Sequence, residues 1–182
     1  GQEEDDLVDF MLAFPTDLAP IVGQQVTISP TNFSDPDVND RITLIDARAA
    51  ATFESQVLGG VVKECNAIAK TVEGGVERGY VRIVSGSYQP DDNSTPIAEA
   101  ALRAKADPVG AAQTITYTCV PPGSGVRMGV DRDEDTLRNG VESNSGVFVD
   151  SDDTGTSPFN SDTDGDGADD GVEVAFGSDP NN

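Results

Sequence analysis

The stretch CNAIAKTVEGGVERGYVRIV, residues 65–84, holds two runs of β-prone residues on either side of Glu73-Gly74-Gly75. A short glycine-containing break between two such runs indicates a β-hairpin. Further strands are predicted at residues 24–29, 114–120 and 126–130, where apolar and β-branched residues alternate or cluster. The sequence therefore predicts a small, mostly antiparallel sheet.

Apolar residues recur at helical spacing in about three places, the first being residues 7–14. In the second, Asp35-Pro36 fits an N-cap followed by a proline at the first helical position, and apolar residues continue to residue 49. The third runs over residues 95–105 and begins at a Thr-Pro pair. Together with the strands, these helices predict an α+β fold for residues 1–130.

The composition limits the classes of function. The chain has 182 residues, a formal net charge of -22 and no histidine. So acidic a chain lacks the clustered Lys and Arg that nucleic acids or anionic membrane surfaces require, and no apolar run approaches the ~18 residues of a membrane span. The absence of imidazole excludes His-based catalysis, the usual haem attachment and most zinc sites. Carboxylates without imidazole are best suited to binding hard cations.

The acidic residues are concentrated towards the C-terminal end. Residues 131–182 contain 15 acidic side chains against two arginines, and few large apolar residues. Such a segment cannot bury enough apolar surface to offset the entropy lost on ordering unless something else holds it. We therefore expect two units: an α+β domain of residues 1–130 and a loop-rich tail of residues 131–182 that is held together by metal.

The segment DTDGDGADDGVE, residues 162–173, fits the twelve-residue loop that wraps Ca²⁺. Aspartates at positions 1, 3 and 5 of a tightly turning loop aim at one centre, and glycine at position 6 permits the turn. Position 7 offers its carbonyl oxygen, and the glutamate at position 12 closes the shell. The candidate ligands are Asp162, Asp164, Asp166, Ala168 through its carbonyl, Asp170 and Glu173.

A second copy of the pattern, DRDEDTLRNGVE, occupies residues 131–142. Position 6 is Thr136 where glycine is expected, which predicts a strained or differently turned loop. Between the two loops, Asp150, Asp152 and Asp153 could form a third site, although a solvated acidic turn is the preferred interpretation. Two bound Ca²⁺ ions are expected, with a third possible. The candidate ligands of this copy are Asp131, Asp133, Asp135, Leu137 through its carbonyl, Asn139 and Glu142.

The Asp-Thr-Asp-Gly-Asp-Gly core of residues 162–167, and the similar turn that follows each loop, resemble the thrombospondin type 3-like calcium repeats of secreted bacterial proteins. This resemblance extends over residues 131–182. Residues 14–27 and 116–135 resemble segments near the C-terminal ends of long secreted bacterial proteins, often behind β-propeller-like repeats. Both resemblances imply an extracellular module, and neither supplies catalytic residues.

Cys65 and Cys119 each lie in a predicted strand. An even pair indicates a disulfide in a secreted protein and two buried thiols in a cytosolic one. The chain begins at Gly1, which suggests a removed leader or a trimmed chain. Together with the calcium motifs, these features favour the disulfide and a secreted, extracellular or cell-surface location.

The leading hypothesis is a secreted, calcium-stabilised structural or adhesive module that is not an enzyme. Its expected partners are copies of itself, up to a filament, or other extracellular proteins. The alternative is a non-catalytic C-terminal module of a larger secreted protein. A hydrolase is disfavoured because the carboxylates outside the loops show no recognisable pairing and no G-x-S-x-G motif is present. A calcium sensor is disfavoured because the chain has only two methionines.

Overall fold

A computed structural model of the protein describes residues 18–57, 59–84 and 86–182. These residues form eight strands and four helices, and the sheets are antiparallel, which confirms the α+β class. The helix predicted for residues 7–14 lies outside the described residues. Within the described ranges, no helix has the length and apolar character needed to cross a bilayer.

The strands are β1 (Gln25–Ile28), β2 (Thr52–Ser55), β3 (Gly60–Lys63), β4 (Asn66–Glu73), β5 (Val76–Arg82), β6 (Ser87–Pro90), β7 (Ile97–Ala98) and β8 (Ile115–Val120). A six-stranded antiparallel sheet forms the centre of the fold, in the order β1-β8-β4-β5-β6-β7. The hairpin predicted around Gly74-Gly75 is β4–β5, and both glycines have positive φ, as a two-residue turn of this kind requires. A separate two-stranded hairpin pairs β2 with β3.

The helices are short except for the first. The Asp35 side chain accepts a hydrogen bond from the Asp37 amide at 2.9 Å and begins α1 (Pro36–Ala50), as predicted. Helix α2 (Glu99–Ala104) begins later than predicted because residues 97–98 pair with β6. The remaining helices are α3 (Gly125–Gly129) and α4 (Asp170–Phe176).

The sheet buries one face along its length and part of the other. Ile42, Leu102 and Tyr117 belong to the larger core cluster, which contains residues from α1, α2 and one face of the sheet. The same cluster includes the disulfide between Cys65 and Cys119. A smaller cluster consists of Ile68, Val81 and Val120, which occupy alternate strand positions and thus lie on the opposite face, together with Val130 at the end of the segment that follows β8.

The strand predicted for residues 126–130 is wrong, because this segment forms α3. Gly125 and Gly129, four residues apart, present a face without side chains to the sheet. A Cβ on Gly125 would lie 2.7 Å from Asn66 Cβ, and one on Gly129 would lie 3.1 Å from Ile68 Cγ2. The backbone of α3 therefore packs directly against β4. The chain then continues from α3 into the first acidic loop at Asp131.

Candidate metal centre

The two acidic loops share three internal hydrogen bonds between equivalent positions. In the first loop, the Glu134 amide donates to Asp131 Oδ1 at 2.8 Å. In the second, the Gly165 amide donates to Asp162 Oδ1 at 2.8 Å. Each is a bond from position 4 to position 1, so the first aspartate of each loop is fixed in the same way.

The equivalence continues at the later positions. The amides of Leu137 and Ala168 at position 7 donate to the position-5 aspartates at 2.7 and 2.9 Å. At position 9, the side-chain oxygens of Asn139 and Asp170 accept from the amides at position 2, at 3.0 and 2.8 Å. The two segments are therefore repeats in structure as well as in sequence, and the carbonyl ligands proposed at Leu137 and Ala168 remain predictions.

Position 6 adopts a left-handed backbone in both loops. Gly167 has a φ of +102°, and Thr136 has a φ of +84° although it carries a side chain. Such a conformation costs a β-branched residue on the order of 1–3 kcal/mol. The first loop thus makes the turn that its sequence disfavours, and the surrounding contacts have to offset the strain.

The carboxylates of the first loop converge in a largely buried place. Asp131, Asp133 and Asp135 each offer an oxygen within 4.8 Å of the others. Asp135 is 2% exposed and Glu142, at position 12, is 4% exposed. Asp135 Oδ2 and Glu142 Oε2 are buried without a hydrogen-bond donor among the described residues.

Burial also changes the ionisation of these groups. Loss of solvation, reinforced by neighbouring carboxylates, raises the pKa of Asp135 to about 6 and the pKa of Glu142 to about 8. The pKa values of Asp131 and Asp133 are raised for the same reasons. Unpartnered buried carboxylates are costly, and a hard divalent cation would satisfy them because it takes several oxygen ligands at once. The all-oxygen donor set suits Ca²⁺.

The second loop is more open. Asp162, Asp164 and Asp166 again form one group with oxygens within 4.8 Å of each other, but Asp164 and Asp166 are exposed. Glu173 is buried, its Oε2 has no donor among the described residues, and burial together with Asp164 raises its pKa. This loop has the same ligand types in a better solvated setting.

Asp170 does not belong to the group that Asp162, Asp164 and Asp166 form in its own loop. Its carboxylate comes together with those of Asp135 and Glu142, which belong to the first loop. Asn139 is the equivalent residue of the first loop, and its side-chain oxygen accepts a hydrogen bond from the Arg132 amide of the same loop. Asn139 and Asp170 thus accept equivalent backbone hydrogen bonds within their own loops, but only Asp170 lies beside carboxylates of the other loop.

The sequence analysis missed the glycines at position 10. The Gly140 amide donates to the Asp91 carbonyl at 3.0 Å, so the first loop contacts the end of β6. A Cβ on Gly171 would overlap the carbonyl oxygen of Asp135, so the second loop contacts the first. Aligning the two copies would have shown the shared glycine. It would not have shown what the glycine contacts.

The acidic segment between the loops is a hydrogen-bonded turn. Asp150 Oδ1 accepts from the amides of Asp152 and Asp153, at 2.9 and 3.1 Å. Asp153 Oδ1 accepts from Ser143 Oγ at 2.6 Å. The described residues contain no group of three metal-binding side chains at this place.

Comparison with protein families matches residues 162–182 to the bacterial TSP3 repeat. The match agrees with the resemblance of the second loop and indicates a calcium-binding repeat of a kind typical of extracellular proteins. Comparisons with curated proteins and with solved structures found no match. The resemblance of segments within residues 1–135 to modules of propeller-like proteins therefore remains a prediction.

Proposed function

We propose that this protein is a secreted, non-catalytic structural or adhesive module whose C-terminal tail binds Ca²⁺ through both acidic loops. The observation that carries the proposal is the pair of buried carboxylate oxygens in the first loop, at Asp135 and Glu142, that have no hydrogen-bond donor among the described residues. Its support is the matching hydrogen-bond pattern of the two loops, together with the repeat match over residues 162–182.

Calcium would supply charge neutralisation and a cross-link between distant parts of the loop. The closing glutamates, Glu142 and Glu173, lie eleven residues after the first aspartate of each loop. With an ion bound, each loop is held at its start and its end. At free calcium about 100-fold above Kd, each site would add about 2.7 kcal/mol to the free energy of unfolding.

The first loop also fixes the tail to the sheet. Beyond the contact between Gly140 and Asp91, Arg138 Nη1 donates to the Pro90 carbonyl at 3.4 Å and Arg132 lies 3.6 Å from Glu77. An ion in the first loop would thus stabilise both the tail and its attachment. This arrangement suits a mechanical or spacing role in an extracellular module.

The absence of catalysis is part of the proposal. Outside the loops, several buried or half-buried carboxylates are already held by donors, which leaves them poorly placed for acid–base chemistry. Glu64, in the cleft beside α1, is ion-paired with Arg48 at 3.2 Å. Three further carboxylates have close donors: Asp46 from Arg82, Glu73 from Lys105, and Asp91 from the Gly79 amide.

Self-association is a second candidate for the role of the module. Phe159 is 70% exposed and Phe176 is 86% exposed, both in the tail. Exposed aromatic residues favour contact with another protein surface, either a second copy or another extracellular protein. Light scattering at millimolar calcium, for the unaltered protein and for Phe176→Ser, tests it. A monomer at all concentrations would rule out assembly.

Thermal unfolding in calcium, in magnesium and in chelator tests the calcium function. We expect a higher Tm in calcium than in chelator, and a much smaller effect of magnesium because it adapts poorly to a large flexible oxygen cage. Identical unfolding curves in calcium and chelator would overturn the proposal.

A further inference from the structure

The carboxylate of Asp170 comes from the second loop, yet it lies with carboxylates of the first. Asp135, Glu142 and Asp170 each place an oxygen within 4.8 Å of the others, and all three side chains are buried. Asp170 thus adjoins two acidic ligands of the first loop, and one of them, Asp135, also belongs to the group with Asp131 and Asp133.

Two unpartnered oxygens indicate what this cluster binds. Asp135 Oδ2 and Glu142 Oε2 are buried and have no hydrogen-bond donor among the described residues. Carboxylates so close to one another repel strongly when ionised, unless a cation lies between them. Ca²⁺ takes about 6–8 oxygen ligands, so the shell of an ion in the first loop has room for a carboxylate from outside the twelve residues of that loop.

Thr163 holds Asp170 in this position. Its amide donates to Asp170 Oδ1 at 2.8 Å, and its hydroxyl donates to Oδ2 at 2.7 Å. A carboxylate offers about four lone-pair directions, so both oxygens can still bind a cation. The next residue, Gly171, lies so close to the Asp135 carbonyl that a Cβ would overlap it. The start of α4 is therefore in backbone contact with the first loop.

We propose that Asp170 ligates the calcium ion of the first loop, so that this site is complete only when the second loop is folded against it. The inference rests on the proposed calcium function. It couples the two sites, because an ion that orders the second loop also positions Asp170 for the first. Binding at the second loop then raises the affinity of the first, and the coupling is reciprocal.

Calcium titration followed by backbone amide resonances separates the two sites. The amides of Glu134 and Gly165 each donate to the first aspartate of their loop, and they report on the first and second site respectively. The test variant is Asp170→Asn, which keeps the size of the side chain and an acceptor for the Thr163 amide. The control is Asp169→Asn, which removes the same charge at an exposed neighbour.

For Asp170→Asn, we expect the Kd of the first site to rise at least about tenfold, since even outer-shell partners of a metal are typically worth about 10–100-fold. The Kd of the second site should rise by a smaller factor, because that site loses only its coupling to the first. Both constants of Asp169→Asn should change by less than about threefold, the effect of an exposed, screened charge. Gly171→Ala, whose Cβ would overlap the Asp135 carbonyl oxygen, should weaken the first site more than the second without any change of charge.

A loss at the second site that equals or exceeds the loss at the first would overturn the assignment of Asp170. Asp170 would then be a ligand of the second site, in its own loop. If calcium shifts neither reporter amide in the unaltered protein, the calcium function itself fails. The two failures are therefore distinguishable in one set of titrations.

Discussion

The backbone amide of Gly140 donates to the carbonyl oxygen of Asp91 at 3.0 Å, and a Cβ on Gly140 would lie 2.7 Å from the same oxygen. This contact joins the first acidic loop to the strand that ends at residue 90. The Asp91 side chain is itself buried and accepts from the Gly79 amide at 2.7 Å. One aspartate thus links the sheet to the tail.

Gly140→Ala should destabilise the protein, because the Asp91 backbone cannot move away without disturbing β5 and β6. We expect a loss of about 1–3 kcal/mol, the usual cost of overpacking, in equilibrium unfolding by urea. Gly110→Ala is the matched control, since a Cβ there makes only ordinary contacts, the closest at 3.6 Å. Equal effects of the two substitutions would contradict the close approach.

Glu142→Gln and Glu173→Gln should each reduce the number of bound Ca²⁺ ions by one. Each removes the charge of a buried carboxylate that has an oxygen without a donor among the described residues. Isothermal titration calorimetry gives the stoichiometry. Glu134→Gln lies within the first loop but is exposed, and it should keep the full count. An unchanged stoichiometry in either test variant would show that its glutamate does not close the site.

Removing the disulfide with Cys65→Ala and Cys119→Ala together should lower the free energy of unfolding by about 2–5 kcal/mol. Both cysteines are fully buried, and they connect the start of β4 to β8. The measurement is urea unfolding of the double variant beside the oxidised protein. Mass spectrometry after alkylation under denaturing, non-reducing conditions gives an independent check. Two alkylated thiols would show that the native protein is reduced.

The folded protein should resist tyrosine ionisation. Burial raises the pKa of Tyr80 to about 12, and it raises the pKa of Tyr88 and Tyr117 as well. Each pKa lies above the unfolded value of about 10, so the stabilising contribution is present below pH ~10 and is lost as pH rises towards the folded value. Tyrosinate absorbance should therefore increase together with unfolding. Ionisation of all three residues near pH 10 in the native protein would contradict this.

Local features of the sequence were sufficient for several elements. The Gly74-Gly75 turn between two β-prone runs predicted β4–β5, and Asp35-Pro36 predicted where α1 begins, because turns and caps depend on a few adjacent residues. The spacing of aspartates likewise predicted two carboxylate clusters that the fold brings together, at Asp131 and at Asp162.

Features that depend on distant residues were not predictable. The segment Gly125–Gly129 has a β-like pattern, but it is helical because its glycines pack on Asn66 and Ile68 across the sheet. The placement of Asp170 against the first loop depends on how the second loop packs, and the spacing within either loop carries no such information. Hydrophobic periodicity and sequence motifs describe one segment of the chain at a time, whereas each of these contacts joins two distant segments.

Hydrogen–deuterium exchange with and without calcium tests the central claim most directly, because it separates the tail from the sheet in one measurement. The account predicts that chelation strongly accelerates exchange of residues 131–142 and 162–176, while β4 and β5 keep their protection. If the amides of the tail exchange equally slowly in calcium and in chelator, the claim that calcium holds these residues in place is contradicted.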